Sequence, residues 1–342
     1  MNRIQYMATV LPGLEAVLAD ELGLKIRNAD NIKAVRGKIY FHTASPAYEL
    51  YALRTADNLY RIVSFFNAGL HRSVLQQLQK KIAVCDLSFL RETGSGPEGF
   101  MVNASRKGTH NFSRFEAAEA AMCGILKQYP NWKRGTPENH SCEFRLDLEG
   151  EAGVFAYRLT DSHFRYRCKG RQFVPGSLRP PVAHALVWLS SPHHEDRVID
   201  PCCGSGTLLS ERLAYSLQEI KGGDCSVDAV LASRHNLSPG STAVVHRWDA
   251  RSLPVDSGWA NKIISNLAFG RQVGDRDSLM ELYGPLLGEM SRLLMPGGRA
   301  ILLAEDGALL RLAAARSGLD CSELLRISLK GLQPAIYELT QS

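Results

Sequence analysis

The chain has 342 residues, of which 45% are hydrophobic and 22% are charged, and its formal net charge is +5. This balance is typical of a soluble globular protein, and the length suits two or three domains. No apolar run approaches the roughly 18–20 residues that a membrane span needs. Residues 1–4 do not open a secretory signal, so we expect a cytoplasmic protein that does not contact a membrane.

The charge is unevenly distributed along the chain. Residues 1–175 carry a net charge of +7, whereas residues 176–342 carry −2. This asymmetry favours a module that binds a polyanion, joined to a second, near-neutral module. The alternative is that the basic half is simply a solvated surface.

The eight cysteines are scattered, and only Cys202 and Cys203 are close in sequence. Adjacent cysteines lack the spacing of a zinc site, and the pattern does not resemble a disulfide framework. We therefore expect reduced thiols and no bound metal.

The first segment alternates apolar strand patterns with helical ones. Pro12 and Gly13 break the first strand, and Ser45 with Pro46 has the composition of a helix start. The resulting order, βαββαβ, predicts a small ferredoxin-like unit. Its predicted elements are strand 4–11, helix 14–24, strands 25–31 and 34–42, a helix from residue 45 and strand 61–66.

The second segment, from about residue 69 to residue 171, also mixes the two periodicities. A loop rich in Gly, Ser and Glu occupies residues 91–99. The predicted elements are helix 74–90, strand 100–104, helix 113–128 and the strand pair 143–148 and 153–159.

The third segment begins near Pro175 and alternates strands with helices to the end of the chain. Helix 180–190 leads into strand 197–200. This alternation predicts a doubly wound α/β domain with a mostly parallel sheet.

A glycine-rich loop follows strand 197–200 directly. The strand ends in Asp200, and Gly204 and Gly206 flank Ser205 before a helix that begins at Thr207. Two glycines let the backbone approach a ligand closely, and the helix N-terminus offers free N–H groups. The loop lacks the third glycine and the spacing of a dinucleotide-binding motif.

Two further acidic residues follow the next two predicted strands. Asp224 ends strand 219–223, where such folds bind a ribose, although it could instead cap a helix. Asp249 follows strand 243–247 and could accept a hydrogen bond from an adenine amino group. The alternative for Asp249 is a turn cap.

The fourth strand, 262–265, ends in Asn266, followed by Leu267, Ala268, Phe269 and Gly270. The exocyclic amines of bases are poor nucleophiles, so a site that methylates one needs acceptors for both N–H groups. The side-chain oxygen of Asn266 and the carbonyl of Ala268 suit this role, and Phe269 offers a stacking face. The alternative for Asn266 is a turn-forming residue.

These motifs resemble the THUMP-domain RNA methyltransferases, especially the tRNA guanine-N2 methyltransferases. Residues 200–207 match the loop of amino-methyltransferases, and residues 100–113 and 153–167 resemble strands of the THUMP domain. The chain departs from the family at Ala268, where a proline usually stiffens the loop. The resemblance implies a ferredoxin-like domain (1–68), a THUMP domain (69–168) and a Rossmann-like methyltransferase domain with a mostly parallel seven-stranded sheet (169–342).

The resemblance also implies site residues. The cofactor is S-adenosyl-L-methionine, converted to S-adenosyl-L-homocysteine, and residues 176–181 resemble the segment near its methionine end. The expected catalytic residues are Asn266, Ala268 and Phe269. The expected cofactor contacts are Ser177, Arg179, Asp200, Cys202, Gly204, Ser205, Gly206, Thr207, Asp224, Cys225, Asp249, Ala250 and Asn266. The expected RNA contacts are Arg106, Lys107, His110, Arg114, Arg165, Arg167, Lys169 and Arg171.

The implied reaction is methylation of guanosine N2 in structured RNA, with an acceptor-stem guanosine of tRNA as the expected target. Some family members use a small activating subunit, and the sequence leaves open whether this chain needs one. Alternatives are an rRNA guanine-N2 methyltransferase and a THUMP RNA-binding protein with a weak site, in which Ala268 marks decay. The basic, THUMP-like front half argues against a DNA or protein substrate.

Overall fold

A computed structural model describes residues 3–90, 99–161, 163–238, 240–267, 276–329 and 331–341. Two seven-stranded sheets organise this part of the chain. None of the helices described is both long and apolar enough to cross a membrane.

The first sheet and its helices come from the N-terminal half of the chain. The strands are β1 (Ile4–Thr9), β2 (Asp30–Val35), β3 (Lys38–Thr43), β4 (Asn58–Asn67), β5 (Phe100–Lys107), β6 (Cys142–Glu149) and β7 (Ala152–Arg158). The helices are α1 (Glu15–Lys25), α2 (Val74–Ile82) and α3 (Arg114–Gln128), with short 3₁₀ helices at Ala47–Ala52, Ser88–Leu90 and Phe164–Tyr166. A capping box between Ser113 and Glu116 starts α3.

This sheet has the strand order β2-β3-β1-β4-β7-β6-β5. Strand β4 pairs along its length with β7, so one sheet crosses the boundary predicted at residue 68. The cores divide differently. Apolar side chains of the first unit share a cluster with the C-terminal domain, whereas the segment between Ala68 and Phe155 has a cluster of its own. The division at residue 68 stays a prediction.

Three predicted elements are wrong in extent or type. The strand predicted over 25–31 starts only at residue 30: α1 continues to Lys25, Asn28 adopts a left-handed conformation, and the strand is Asp30–Val35. The helix expected from Ser45 is the 3₁₀ helix Ala47–Ala52, whose N-cap position is Pro46. The helix expected over 74–90 ends at Ile82, and a turn closed by Asp86 and the Ser88 amide precedes the next 3₁₀ helix.

The second sheet is built from the C-terminal half of the chain. Its strands are β8 (Arg197–Asp200), β9 (Glu219–Asp224), β10 (Val244–Arg247), β11 (Ala260–Asn266), β12 (Leu294–Ala304), β13 (Leu319–Arg326) and β14 (Ala335–Gln341). The helices are α4 (Pro180–Leu189), α5 (Thr207–Arg212), α6 (Val227–Asn236), α7 (Arg276–Leu293) and α8 (Gly307–Arg316).

The strand order of this sheet is β10-β9-β8-β11-β12-β14-β13. Strands β10, β9, β8, β11 and β12 run parallel, and only β14 breaks the pattern by pairing antiparallel with β12 and β13. The mostly parallel, doubly wound domain is confirmed. The order reverses at β8, whose neighbours are β9 and β11, and ligands of such sheets bind beyond the carboxyl ends of the strands at that point.

Candidate active site

The glycine loop between β8 and α5 forms the floor of the site. Gly204 has φ +51° and Gly206 has φ +72°, both left-handed values that favour glycine. A Cβ on Gly206 would lie 2.3 Å from Oγ of Ser233 on α6. The Cys203 amide donates to the Gly223 carbonyl at 2.8 Å, which fixes the loop against β9. The loop therefore combines a left-handed backbone at two glycines with close packing against α6 and β9.

Asp200, the last residue of β8, lies under this loop and is fully buried. Its Oδ1 accepts from Oγ of Ser265 at 2.7 Å and from the Cys202 amide at 3.2 Å. Its Oδ2 is buried with no hydrogen-bond partner among the described residues. Burial raises the pKa of this carboxyl to about 7. The Asp200 carboxyl therefore keeps its proton to a higher pH than an ordinary aspartate does.

Asp224 joins the end of β9 to the glycine loop. Its Oδ2 accepts from the Gly204 amide at 3.1 Å, and its Oδ1 accepts from the Ser226 amide at 3.0 Å. The predicted alternative, a cap before α6, therefore describes one of its contacts, although Oγ of Ser226 itself caps that helix. Neighbouring Cys225 is exposed. Asp224 is half-buried and lies at the carboxyl edge of the sheet, where the ribose role stays a prediction.

Asp249 is exposed and its carboxylate is held by Arg251. Nε and Nη2 of Arg251 lie 3.0 and 2.7 Å from the two carboxylate oxygens, and these hydrogen bonds lower the pKa of Asp249. Ala250 beside it is buried. An adenine contact by the Asp249 side chain would have to share the carboxylate with Arg251.

Asn266 closes the site at the end of β11. Its Nδ2 donates to the carbonyl oxygen of Gly176 at 3.1 Å. Its Oδ1 is buried and has no hydrogen-bond partner among the residues described. The acceptor predicted for a substrate amine is thus available. Ala268 and Phe269 lie outside the described residues.

The segment before α4 contacts the glycine loop. Oγ of Ser177 lies 2.8 Å from Oγ of Ser205, which in turn is 3.4 Å from Oγ1 of Thr207. Arg179 is the N-cap residue of α4. Within the described chain, its guanidinium does not hydrogen-bond to the glycine loop but forms an ion pair with Asp57 at 3.2 Å. Arg179 therefore links the two halves of the protein.

Two contributors were not singled out from the sequence. Ser265 supplies the hydroxyl that holds Asp200. Trp248 donates its indole N–H to the Pro201 carbonyl at 2.9 Å, tying the loop after β10 to the loop after β8. A small polar residue inside an apolar strand was the available signal for Ser265, whereas nothing local marks Trp248.

The residues predicted to bind RNA on the first sheet differ in exposure. Arg106, Lys107 and Arg114 are exposed. Arg106 donates to the His110 carbonyl, Lys107 pairs with Glu149, and Arg114 lies over the Phe115 ring. His110 is buried, with Nε2 2.8 Å from the Gly150 carbonyl oxygen. His110 therefore organises the loop rather than facing solvent, and the others stay predicted contacts.

The residues of the basic linker that were predicted to bind RNA also differ in exposure and contacts. The guanidinium of Arg167 packs on buried Glu211 of α5, with Nε 3.0 Å from the carboxylate, so it serves an ion pair between domains. Arg165 lies over the Tyr166 ring and Arg171 over the Phe173 ring. Burial lowers the pKa of Arg171. Lys169 is exposed.

The sequence and fold of this chain are similar to those of known methyltransferases. Residues 167–335 match the model of the UPF0020 family, described as an RMKL-like methyltransferase domain. A tRNA (guanine(6)-N2)-methyltransferase of Thermus thermophilus is 29% identical over 317 residues, covering 90% of each chain. The tRNA (guanine(6)-N(2))-methyltransferase THUMP3 of Bos taurus is 29% identical over 266 residues, covering 71% of this chain.

The chain spans about half the length of that bovine relative, 51%. Among solved structures, TrmN from Thermus thermophilus superposes with a TM-score of 0.85 over 100% of both chains, at 25% sequence identity. The likeness extends over both sheets and the segment that joins them.

Proposed function

We propose that the chain transfers a methyl group from S-adenosyl-L-methionine to N2 of guanosine in tRNA, in keeping with the match of residues 167–335 to an RMKL-like methyltransferase domain. The observation that carries this proposal is Asn266 at the topological switch point. A buried amide oxygen that has no hydrogen-bond partner among the described residues lies at the end of β11, at the same edge of the sheet as the glycine loop.

The residues present fit such a cofactor. Gly204 has open space where a side chain would be, since a Cβ there would meet, of the residues that the structure describes, only Val174 at 3.7 Å. Asp224 stands at the end of β9, where a carboxylate binds ribose hydroxyls in this class of sheet. The N-terminus of α5 follows the loop. These groups would hold the nucleoside and methionine ends, together with Ser177, Ser205, Thr207 and the backbone near Ala250.

When bound, the cofactor supplies an electrophilic methyl group on a sulfonium. The task of the chain is then to orient the acceptor nitrogen. The lone pair of an exocyclic amine is delocalised into the base, so the nitrogen must become pyramidal as it attacks. Oδ1 of Asn266 accepts a hydrogen bond from one N–H, and this hydrogen bond strengthens as positive charge develops on the nitrogen. On sequence grounds, the Ala268 carbonyl accepts the other and Phe269 stacks on the base.

The proposed substrate is a guanosine of the tRNA acceptor stem, at position 6 as in the names of the relatives. Arg106, Lys107, Arg114 and Lys169 provide exposed cations that would contact phosphates, which position RNA without reading its sequence. The net positive charge of the first 175 residues suits this role.

The proposal is tested by incubating the purified chain with methyl-labelled cofactor and, separately, bulk tRNA, rRNA and RNase-treated tRNA. Label in tRNA alone supports it, and activity of the chain alone would show that no activating subunit is required. Label in rRNA but not tRNA would favour the ribosomal alternative. Label in neither RNA, with no cofactor binding by calorimetry, would refute the enzyme assignment.

A further inference from the structure

A cleft lies where the first unit meets the linker to the C-terminal domain. Its volume is about 240 Å³. Tyr51 and Arg54 line one wall, and the segment after β7 lines the other. The linker residues on that wall are Asp161, His163, Phe164 and Arg167. The cleft is separate from the glycine loop and from the cations of the first sheet named above.

Two aromatic rings are held in this cleft in fixed orientations. Tyr51 is 45% exposed, although its hydroxyl donates to the Leu159 carbonyl at 2.6 Å. The ring of Phe164 lies with its centroid 5.9 Å from that of Tyr51, at an interplanar angle of 57°. Rings that are rigid and yet exposed provide stacking faces with little further loss of side-chain entropy.

The cations of the cleft differ in availability. Arg167 is fully engaged, since it donates to Glu211 and to the Phe164 and Arg54 carbonyls. Arg54 donates to Glu211 through Nε at 2.9 Å, which aims the guanidinium. Within the described residues its two terminal amino groups have no hydrogen-bond partner. They therefore present a pair of donors of the kind that binds a phosphate.

Asp161 supplies an acceptor at the rim of the same cleft. Its Oδ1 accepts from the His163 and Phe164 amides at 2.9 and 2.8 Å, and its Oδ2 is 3.6 Å from Nδ1 of His163. The carboxylate is therefore held in place while its side chain remains 71% exposed. A fixed carboxylate can accept a hydrogen bond from the exocyclic amino group of a base, whereas it would repel a base carbonyl at the same position.

We propose that this cleft binds one nucleotide of a single-stranded RNA segment, with the base against Tyr51 and Phe164 and a phosphate on Arg54. The inference rests on the proposed function, because it places part of an RNA substrate. Glu211, which aims Arg54, lies near the end of α5, and α5 begins at the glycine loop. A six-residue helix is roughly 9 Å long. RNA bound in the cleft would therefore lie against the C-terminal domain, with α5 between the cleft and the glycine loop.

The test is equilibrium binding of a fluorescent riboadenylate tetramer to the full chain, without cofactor. Tyr51→Ala is expected to weaken binding by about 5-fold to about 150-fold, the range for loss of one base–aromatic stack. Tyr51→Phe keeps the ring and is expected to stay within about 2-fold of wild type. Tyr48→Ala is the matched control, because Tyr48 is exposed on the same 3₁₀ helix and does not line the cleft.

The outcomes separate this inference from the proposed function. Equal loss in Tyr51→Ala and Tyr48→Ala, or no loss in either, would overturn the cleft assignment even if the wild-type chain methylates tRNA. Displacement of the tetramer by AMP at an equal or lower concentration would also overturn it, by indicating a free nucleotide as the ligand. Selective loss in Tyr51→Ala supports the cleft even if methyl transfer to tRNA fails.

Discussion

The side-chain amide of Asn266 donates a hydrogen bond to the Gly176 carbonyl, 3.1 Å away and 90 residues earlier in the chain. This bond orients the amide so that Nδ2 faces the segment before α4. Oδ1 is left buried and unpartnered within the described chain. The fold therefore fixes which end of the amide is available to a substrate, before any ligand binds.

Replacement of Asn266 tests this orientation. Asn266→Ala removes the oxygen proposed to accept a substrate N–H, so the rate of methyl transfer should fall by about 100-fold or more. Cofactor affinity, measured by calorimetry, should change much less because Asp224 and the glycine loop remain. An unchanged transfer rate would show that Oδ1 does not act on the substrate.

Asp224 should control cofactor affinity. Its carboxylate holds the Gly204 amide at 3.1 Å and is proposed to bind the ribose. Loss of hydrogen bonds to a charged group costs about 1.5–3 kcal/mol, so Asp224→Ala should weaken cofactor binding by about 10-fold to about 150-fold. Asp228→Ala, an exposed acid in the first turn of α6, is the control and should bind as the wild type does.

Gly206 should tolerate no side chain. Gly206→Ala combines φ +72° with a Cβ 2.3 Å from Oγ of Ser233, whereas the Cβ of Gly258→Ala, at φ +67°, would have no atom of the described residues within 4 Å. The left-handed conformation alone costs about 1–2 kcal/mol. Thermal unfolding should therefore show a modest loss for Gly258→Ala and a larger one for Gly206→Ala, with loss of cofactor binding only in the latter. Equal losses would mean that the loop can move away from α6.

Asp200 should make stability depend on pH. Its folded-state pKa of about 7 lies above the ordinary 3.8, so the folded protein keeps a proton that the unfolded chain releases. This contribution is present below about pH 4 and is lost as pH rises through 7. Asp200→Asn removes the titration and keeps an acceptor for Ser265.

The melting temperature of Asp200→Asn relative to wild type should therefore increase between pH 5 and pH 8. A shift of about 3 units corresponds to at most roughly 4 kcal/mol. Asp228→Asn, which changes an exposed carboxyl, should show no such trend. A difference from wild type that does not vary with pH would show that Asp200 is ionised throughout this range.

Glu211 should be essential to the junction between the halves. It is fully buried and accepts from Nε of Arg54 and Nε of Arg167. Glu211→Gln leaves two partly buried cations without their counter-charge and should lower the free energy of unfolding by about 3 kcal/mol. Glu119→Gln, which breaks an exposed pair with Arg134, should cost less than about 1 kcal/mol. Similar losses in denaturant unfolding would refute a special role for the buried pair.

The strands that carry the site could be predicted because each is a short apolar run that ends in a polar residue. Asp200, Asp224 and Asn266 all lie at the carboxyl edge expected for them. Contacts between distant positions could not be predicted in this way. The sequence marks Arg167 as a cation in a basic linker, but its partner Glu211 is 44 residues away and becomes its neighbour only in the fold.

Errors of secondary structure came from local ambiguity. The run after α1 has strand character from residue 25, yet Ile26 packs in the core at the end of the helix and Asn28 turns the chain. The strand therefore starts only at Asp30. Tertiary packing overrode propensity here, as it commonly does at short elements.

The most direct test of the proposed activity is analysis of nucleosides from tRNA incubated with methyl-labelled S-adenosyl-L-methionine and the purified chain. The account predicts labelled N2-methylguanosine with wild-type protein and little or none with Asn266→Ala, while both bind the cofactor. Label confined to another nucleoside, or labelled N2-methylguanosine formed equally well by Asn266→Ala, would contradict it.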